Sequence, residues 1–232
     1  MNQEERVFPY TLVRSRRKTL AIYITKNAAV EVRAPLKMPQ QYIDRFVASK
    51  AQWIDVRLQK RSRIREERAA FTLRYGDPVL LCGRRYPLTA REGKLCGFDG
   101  DCFFIPAGLR ENEMKGAVVQ AYKLAAKQII SPKLAAYAQR MDVEPAGFHI
   151  TGAQTRWGSC SAKKNLNFSW RLVMAQEEVI DYVVVHELAH IMELNHSPRF
   201  WSHVERFIPE HKACRKKLKE LQEMLASQEW DG

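Results

Sequence analysis

Residues 180–201 read IDYVVVHELAHIMELNHSPRFW, with three histidines inside eleven positions. His186 and His190 are four residues apart, which places both imidazoles on one face of an α-helix. Apolar residues recur at helical spacing around them and predict a buried helix. Glu187 is rotated to the side of that face, where it can take a proton from a water at a metal ion. The stretch predicts a metal site on a helix.

The third histidine, His196, comes six residues after His190, too far along to share the face of a straight helix. Pro198 forbids an unbroken helix, so we expect the helix to end near Glu193 or Leu194. Asn195 is a plausible left-handed cap there. The chain can then fold back and bring His196 to the metal. Three histidines and one open position are typical of a catalytic zinc site, one ion per chain.

Two alternatives remain open for this stretch. One is an ordinary amphipathic helix with unrelated histidines, against which stand the acid and the helix breaker that accompany the three rings. The other changes only the third ligand, since zinc sites of this type also use a downstream carboxylate. Three imidazoles also accept other divalent ions. The reserve ligands are His203, Glu205, Glu210 and His211.

Three stretches resemble one known family. VVVHELAHIMELNHSPRFW (183–201) is similar to the signature of YgjP-like metal-dependent hydrolases, distant relatives of the SprT-like metallopeptidases. TRWGSCSAKKNLNFSWRLV (155–173) resembles the second signature of that family, and RSRRKTLAIYITKNAAVEVRAP (14–35) resembles its opening. The resemblance implies a zincin-like catalytic domain with zinc on the three histidines and Glu187 as the general base.

The remaining elements predict an α+β protein. Three short strands are expected within residues 7–34, a long helix over 40–67, and further strands over 71–105. A helical stretch over 113–141 is expected to break or kink at Pro132. A hairpin is expected at 156–173. We place a boundary near residue 106, between a β-rich region (1–106) and a catalytic domain with HExxH on its central helix (107–232).

The formal net charge of +12 is unevenly distributed. Residues 1–106 hold 21 Lys and Arg against 11 Asp and Glu. This excess indicates either an anionic partner or simple solubility, because charge alone has poor specificity. Apolar runs fall short of the ~20 residues of a membrane span, and five cysteines without a C-x-x-C pair suit a reducing compartment. We expect a cytoplasmic protein with no membrane partner.

Substrate contacts are expected beside the metal helix. An exposed edge of the predicted hairpin can bind an extended peptide by adding it as a strand. Arg156, Trp157 and Arg171 are the candidates for shaping that groove, although each also has an ordinary structural interpretation.

These features favour a zinc-dependent metallopeptidase acting on a peptide or protein. A metal-dependent phosphohydrolase, acting on nucleotides for example, fits the same chemistry and the basic charge. A third hypothesis is a non-catalytic module in which zinc is structural and residues 14–18 and 57–68 bind nucleic acid.

Overall fold

The computed structural model describes residues 8–25 and 27–230. The chain divides into two compact units, Met1–Phe71 and Thr72–Gly232. The boundary therefore precedes the strands of residues 71–105, which we had assigned to the N-terminal region. Helices and strands occur in both units, which confirms the α+β class.

The first unit is a three-stranded sheet followed by two helices. Its strands are β1 (Tyr10–Ser15), β2 (Ala21–Ile24) and β3 (Val30–Pro35). β3 is central, parallel to β1 and antiparallel to β2. Residues along β3 alternate between buried and more exposed positions, as in a sheet with one covered face. The buried core of the unit consists of Val30, Val32, Ala34, Ile43, Val47 and Ile54.

Two helices stand where the sequence predicted one. α1 covers Gln40–Ser49 and α2 covers Ala51–Ala70, and Lys50 between them leaves helical geometry with ψ of 11°. The Lys50 N–H bonds to the carbonyl of Val47 at 3.0 Å, a tightened turn that lets the next helix start at once. The prediction of a continuous helix was wrong because neither Pro nor Gly marks this break.

The second unit begins with a four-stranded sheet. Its strands are β4 (Pro78–Leu81), β5 (Arg84–Arg91), β6 (Gly97–Phe98) and β7 (Phe103–Pro106), in the order β4-β5-β7-β6. Helix α3 (Glu111–Met141) packs on this sheet. The rings of Phe103 and Tyr122 are 4.8 Å apart, and the Tyr122 hydroxyl donates to the carbonyl of Leu80 at 2.8 Å. These contacts explain why the sheet belongs with the second unit.

Helix α3 runs through Pro132, where we expected a second helix or a kink to begin. Proline removes one backbone hydrogen bond to the carbonyl four residues earlier. That residue, Gln128, is exposed, as is Pro132 itself, so water can satisfy the carbonyl.

A second three-stranded sheet follows, with β8 (Gly147–Thr151), β9 (Gly158–Cys160) and β10 (Asn165–Ser169). β10 is central, parallel to β8 and antiparallel to β9, so β9 forms an edge. The β9–β10 pair is the hairpin expected at 156–173. A 3₁₀ helix (Trp170–Met174) leads into the last three helices, α4 (Glu177–Met192), α5 (Pro198–Phe207) and α6 (His211–Leu225).

An aromatic cluster stabilises this unit. Trp170 is fully buried and stacks on Tyr122 at 5.2 Å, while Trp230 meets both rings edge-on.

Among the described residues, none of the helices is long and apolar enough to cross a membrane.

Candidate metal centre

Helix α4 carries the predicted motif. Glu177 and Glu178 occupy its first turn, where negative charge favours the helix N-terminus. The helix ends at Met192, and Glu193 turns the chain away in an extended conformation. Asn195 is not the left-handed cap that we expected; its side-chain oxygen instead accepts the N–H of Ser197 at 3.0 Å. The apolar residues buried along α4 are Val179, Ile180, Tyr182, Val183, Val184, Val185, Leu188 and Ala189.

The turn after α4 brings His196 to the two helical histidines. One ring nitrogen from each of His186, His190 and His196 lies within 4.8 Å of the others. The Nε2 atoms of His186 and His196 are 3.1 Å apart. Nitrogens bound at ~2.1 Å to one zinc ion lie at most ~4.2 Å apart, so a small inward shift lets this group hold an ion.

Neighbouring oxygens orient two of the rings. The Nδ1 of His190 lies 3.2 Å from the carbonyl oxygen of Glu193, and the Nδ1 of His186 lies 3.5 Å from the Tyr182 hydroxyl. With Nδ1 held in this way, Nε2 is the nitrogen left to face a metal. Such partners commonly fix the tautomer of a metal-binding histidine.

Burial favours the neutral rings that a metal needs. Desolvation, together with the smaller effects of the nearby His190 and His196, lowers the pKa of His186 to about 3. Burial likewise lowers the pKa of His190. A neutral imidazole keeps its lone pair available, so the arrangement suits a divalent cation.

Helix α5 supplies an aromatic wall behind the histidines. Ser197 caps the helix by accepting the Phe200 N–H at 3.2 Å, and Pro198 occupies the first turn. The Phe200 ring lies between 4.5 and 4.9 Å from all three imidazoles. The Trp201 ring stacks on His196 at 5.7 Å and on His211 at 5.2 Å. This stacking fixes the His196 turn against α5.

Glu187 is buried beside the histidines, with only 5% of its surface exposed. Desolvation raises the pKa of its carboxyl group to about 8, and the positive charge of Arg156 opposes the increase. A divalent cation on the adjacent histidines would favour the ionised form in the same way as Arg156.

The Glu187 carboxylate rests on Gly158 of edge strand β9. A Cβ atom at Gly158 would lie 2.6 Å from both Cγ and Oε1 of Glu187, closer than any real contact. This role of Gly158 was not among the predictions made from the sequence. The available signal was a glycine inside a strand pattern, which often marks a close backbone approach.

The three candidate substrate residues occupy different environments. Arg156 is exposed, and Trp157 is half-buried with its carbonyl accepting the Ser169 N–H at 2.8 Å. Arg171 is buried, donates from Nη1 to the carbonyl of Gly152 at 2.9 Å, and lies over the Trp170 ring at 4.3 Å. This position favours a structural role for Arg171 over a contact with substrate.

The reserve ligands lie outside the histidine group. Of the residues in ranges 8–25 and 27–230, only His186, His190 and His196 come together as a possible metal site. His211 is buried against Trp201, and none of His203, Glu205 or Glu210 joins the group.

Comparison with known proteins finds a family and distantly similar solved structures. No curated protein matches the chain. The chain is similar to the metallopeptidase zymogen abylysin of Pyrococcus abyssi, with 21% sequence identity and a TM-score of 0.37, over 39% of this chain and 92% of that one. The YgjP-like metallopeptidase domain matches residues 18–221, nearly the whole length. The resemblance in the sequence is thereby confirmed, and the chain belongs to the YgjP-like metallopeptidase family.

Proposed function

We propose that this protein is a zinc-dependent peptidase with His186, His190 and His196 as metal ligands and Glu187 as general base. The observation that carries the proposal is the convergence of three imidazole nitrogens within 4.8 Å, with the buried carboxylate on the same helix. Three neutral nitrogen ligands are a common catalytic zinc set.

Zinc held by His186, His190 and His196 would supply Lewis acidity, which would acidify a water and polarise a substrate carbonyl. The Glu187 carboxylate accepts the proton of the attacking water and transfers it to the leaving nitrogen. Gly158 and the surrounding apolar residues hold this carboxylate out of bulk water, so its position is set before substrate arrives.

Strand β9 is suited to bind the peptide. The Ser169 N–H bonds to the Trp157 carbonyl at 2.8 Å, and the Ser161 N–H bonds to the Asn165 carbonyl at 2.9 Å. Because bonded positions alternate in an antiparallel pair, the backbone groups of Gly158 and Cys160 point to the open edge. No strand in the described part of the chain covers that edge. An extended peptide can pair there with its scissile carbonyl near Glu187.

The test compares wild type with Glu187→Gln and His196→Ala on a peptide library and a nucleotide panel, with metal content measured for each protein. We expect about one zinc per wild-type chain, peptide cleavage lost in Glu187→Gln with zinc retained, and zinc much reduced in His196→Ala. If nucleotide turnover depends on Glu187 and peptide cleavage does not, the peptidase proposal is replaced by a phosphohydrolase.

Two other outcomes also contradict the proposal. Salt-dependent nucleic-acid binding that is unchanged in Glu187→Gln, with no hydrolysis by wild type, would favour the structural-zinc module. Full zinc retention in His196→Ala would move the third ligand to one of the reserve residues. The excess of Lys and Arg in residues 1–106 still predicts a possible anionic partner, and a cytoplasmic location is likewise a prediction.

A further inference from the structure

The loop between β8 and β9, residues 152–157, is held by side chains from three elements. Arg171 Nη1 donates to the carbonyl of Gly152 at 2.9 Å, and Ser169 Oγ donates to that of Ala153 at 2.7 Å. Gln222 Nε2, from α6, donates to the carbonyl of Gln154 at 3.2 Å. Three consecutive carbonyls are therefore fixed, one each by the 3₁₀ helix, β10 and α6.

This clamped loop presents Arg156 beside the catalytic carboxylate. Arg156 is two residues before Gly158, so the Cα atoms of Arg156 and Gly158 are at most ~7 Å apart. Gly158 in turn lies against the side chain of Glu187. The Arg156 side chain is exposed. Within the described residues, its guanidinium takes part in no hydrogen bond or ion pair. The site thus contains one arginine whose donors are available to a ligand.

Arg171, which holds this loop from the 3₁₀ helix, contrasts with Arg156. It is 6% exposed, and its guanidinium is committed to the Gly152 carbonyl and the Trp170 ring. One arginine holds the loop, whereas the other projects from it. A guanidinium presents a planar fork of donors that matches the two oxygens of a carboxylate.

We propose that Arg156 binds a carboxylate of the peptide substrate, an acidic side chain or the C-terminal carboxylate, within about two residues of the scissile bond. The proposal rests on the peptidase function proposed above and gives it a substrate preference. Since the loop is held in place before binding, little ordering is needed when the carboxylate arrives. Losing a hydrogen-bonded charge pair of this kind should weaken binding about tenfold or more.

The experiment measures binding separately from cleavage. Zinc-loaded Glu187→Gln protein is titrated with fluorescent peptide pairs that differ only in Glu against Gln near the scissile position, or in a free against an amidated C-terminus. Anisotropy gives the dissociation constants. We expect about tenfold tighter binding of one carboxylate-bearing peptide, and loss of that preference when Arg156→Gln is added.

Three further variants sharpen the result. Lys163→Gln, in the β9–β10 turn, removes the same charge from the same hairpin and should keep the preference. Arg156→Lys should keep part of it, because one point charge replaces the two-donor fork. Gln222→Ala removes one donor to the Gln154 carbonyl and should reduce the preference by a smaller factor than Arg156→Gln.

The outcomes separate this inference from the peptidase proposal. Wild-type cleavage that depends on Glu187, with equal affinity for all peptide pairs or an unchanged preference in Arg156→Gln, overturns the role of Arg156 alone. Absence of any Glu187-dependent peptide cleavage overturns the peptidase. Tighter binding of inorganic phosphate or a nucleotide than of the carboxylate peptides, lost in Arg156→Gln, contradicts the carboxylate assignment.

Discussion

The sheets β1-β3-β2 and β8-β10-β9 have the same arrangement of strands. In each, the last strand in sequence lies in the middle, parallel to the first strand and antiparallel to the second. The two hairpin edges differ in what they contact. On β2, Tyr23 receives the Arg33 guanidinium over its exposed ring at 4.6 Å. On β9, Gly158 lies against Glu187.

The difference shows that this strand arrangement does not by itself make a site. Strands β5, β6 and β7 repeat the same order within the four-stranded sheet, where Phe98 and Phe103 simply pack ring against ring at 5.2 Å. In β8-β10-β9, a missing side chain at one edge position admits a carboxylate from a helix. The residue at that contact, and not the strand order, distinguishes this sheet from the other two.

Substitutions in the central strands of the two sheets should give the largest difference in unfolding free energy. Phe168 on β10 and Val32 on β3 are both fully buried. Phe168→Ala should cost about 3–5 kcal/mol of unfolding free energy. Val32→Ala removes a smaller side chain and should cost about 1–3 kcal/mol. Urea denaturation of the two variants measures the difference, and equal losses would mean that the two cores are packed alike.

Substitutions on the two hairpin edges should differ in their effect on peptide cleavage. Gly158→Ala places a methyl group where the Glu187 carboxylate now lies, so the carboxylate must shift. A displacement of about 1 Å can cost a hundredfold in rate, and we expect a fall of that order in kcat/KM for peptide cleavage with metal content unchanged.

Gly147→Ala is the matched control on the opposite edge of the same sheet. A Cβ there meets only the side-chain oxygen of Asn165, at an ordinary 3.6 Å. Its activity should equal that of wild type. Full activity in Gly158→Ala would show that Glu187 does not depend on this contact.

The corresponding edge of the first sheet should tolerate change. Tyr23 is 42% exposed, and its cation–π partner Arg33 also pairs with Glu31. Tyr23→Ala should leave peptide cleavage unchanged and lower the melting temperature only slightly, since exposed contacts of this type contribute little. A loss of activity comparable to that of Gly158→Ala would remove the contrast between the two sheets.

The smallest effect is expected where helix α4 is joined to α6. Lys217 donates to Glu178 at 2.7 Å, and this bond lowers the pKa of the Glu178 carboxyl group. A carboxyl group whose pKa is lowered in the folded state stabilises that state at pH values above its ordinary pKa of 4.5. This stabilisation is lost as the pH falls through the lowered pKa. Lys217→Met should therefore slightly lower the melting temperature at pH 7, and the difference should shrink under acid conditions.

The convergence of the three histidines could be predicted because it depends on local sequence. Histidines four residues apart on a helix share a face whatever surrounds them, and Pro198 forces the chain to turn before α5. The contact of Gly158 with Glu187 joins residues 29 positions apart in sequence and depends on how a strand crosses a helix. Periodicity within one element contains no information about such a crossing.

The misplaced boundary at residue 106 has a similar cause. Strands β4–β7 have the same alternating character as β1–β3, so the sequence does not indicate which helix each set covers. The contact of Tyr122 with Phe103 and Leu80 decides this, through an aromatic residue inside a helical pattern. The break at Lys50, which no proline or glycine marks, and the continuity of α3 at Pro132 show that helix-breaking residues alone do not locate the ends of helices.

The stacking of Trp201 between His196 and His211 makes the site optically observable. An indole stacked on an imidazole experiences a different electric field once a dication is bound to that ring. The emission of Trp201 should consequently change in intensity and wavelength with metal occupancy. The other four tryptophans can be replaced by phenylalanine to isolate this signal. Trp201 fluorescence would therefore report metal occupancy of the proposed site without an added label.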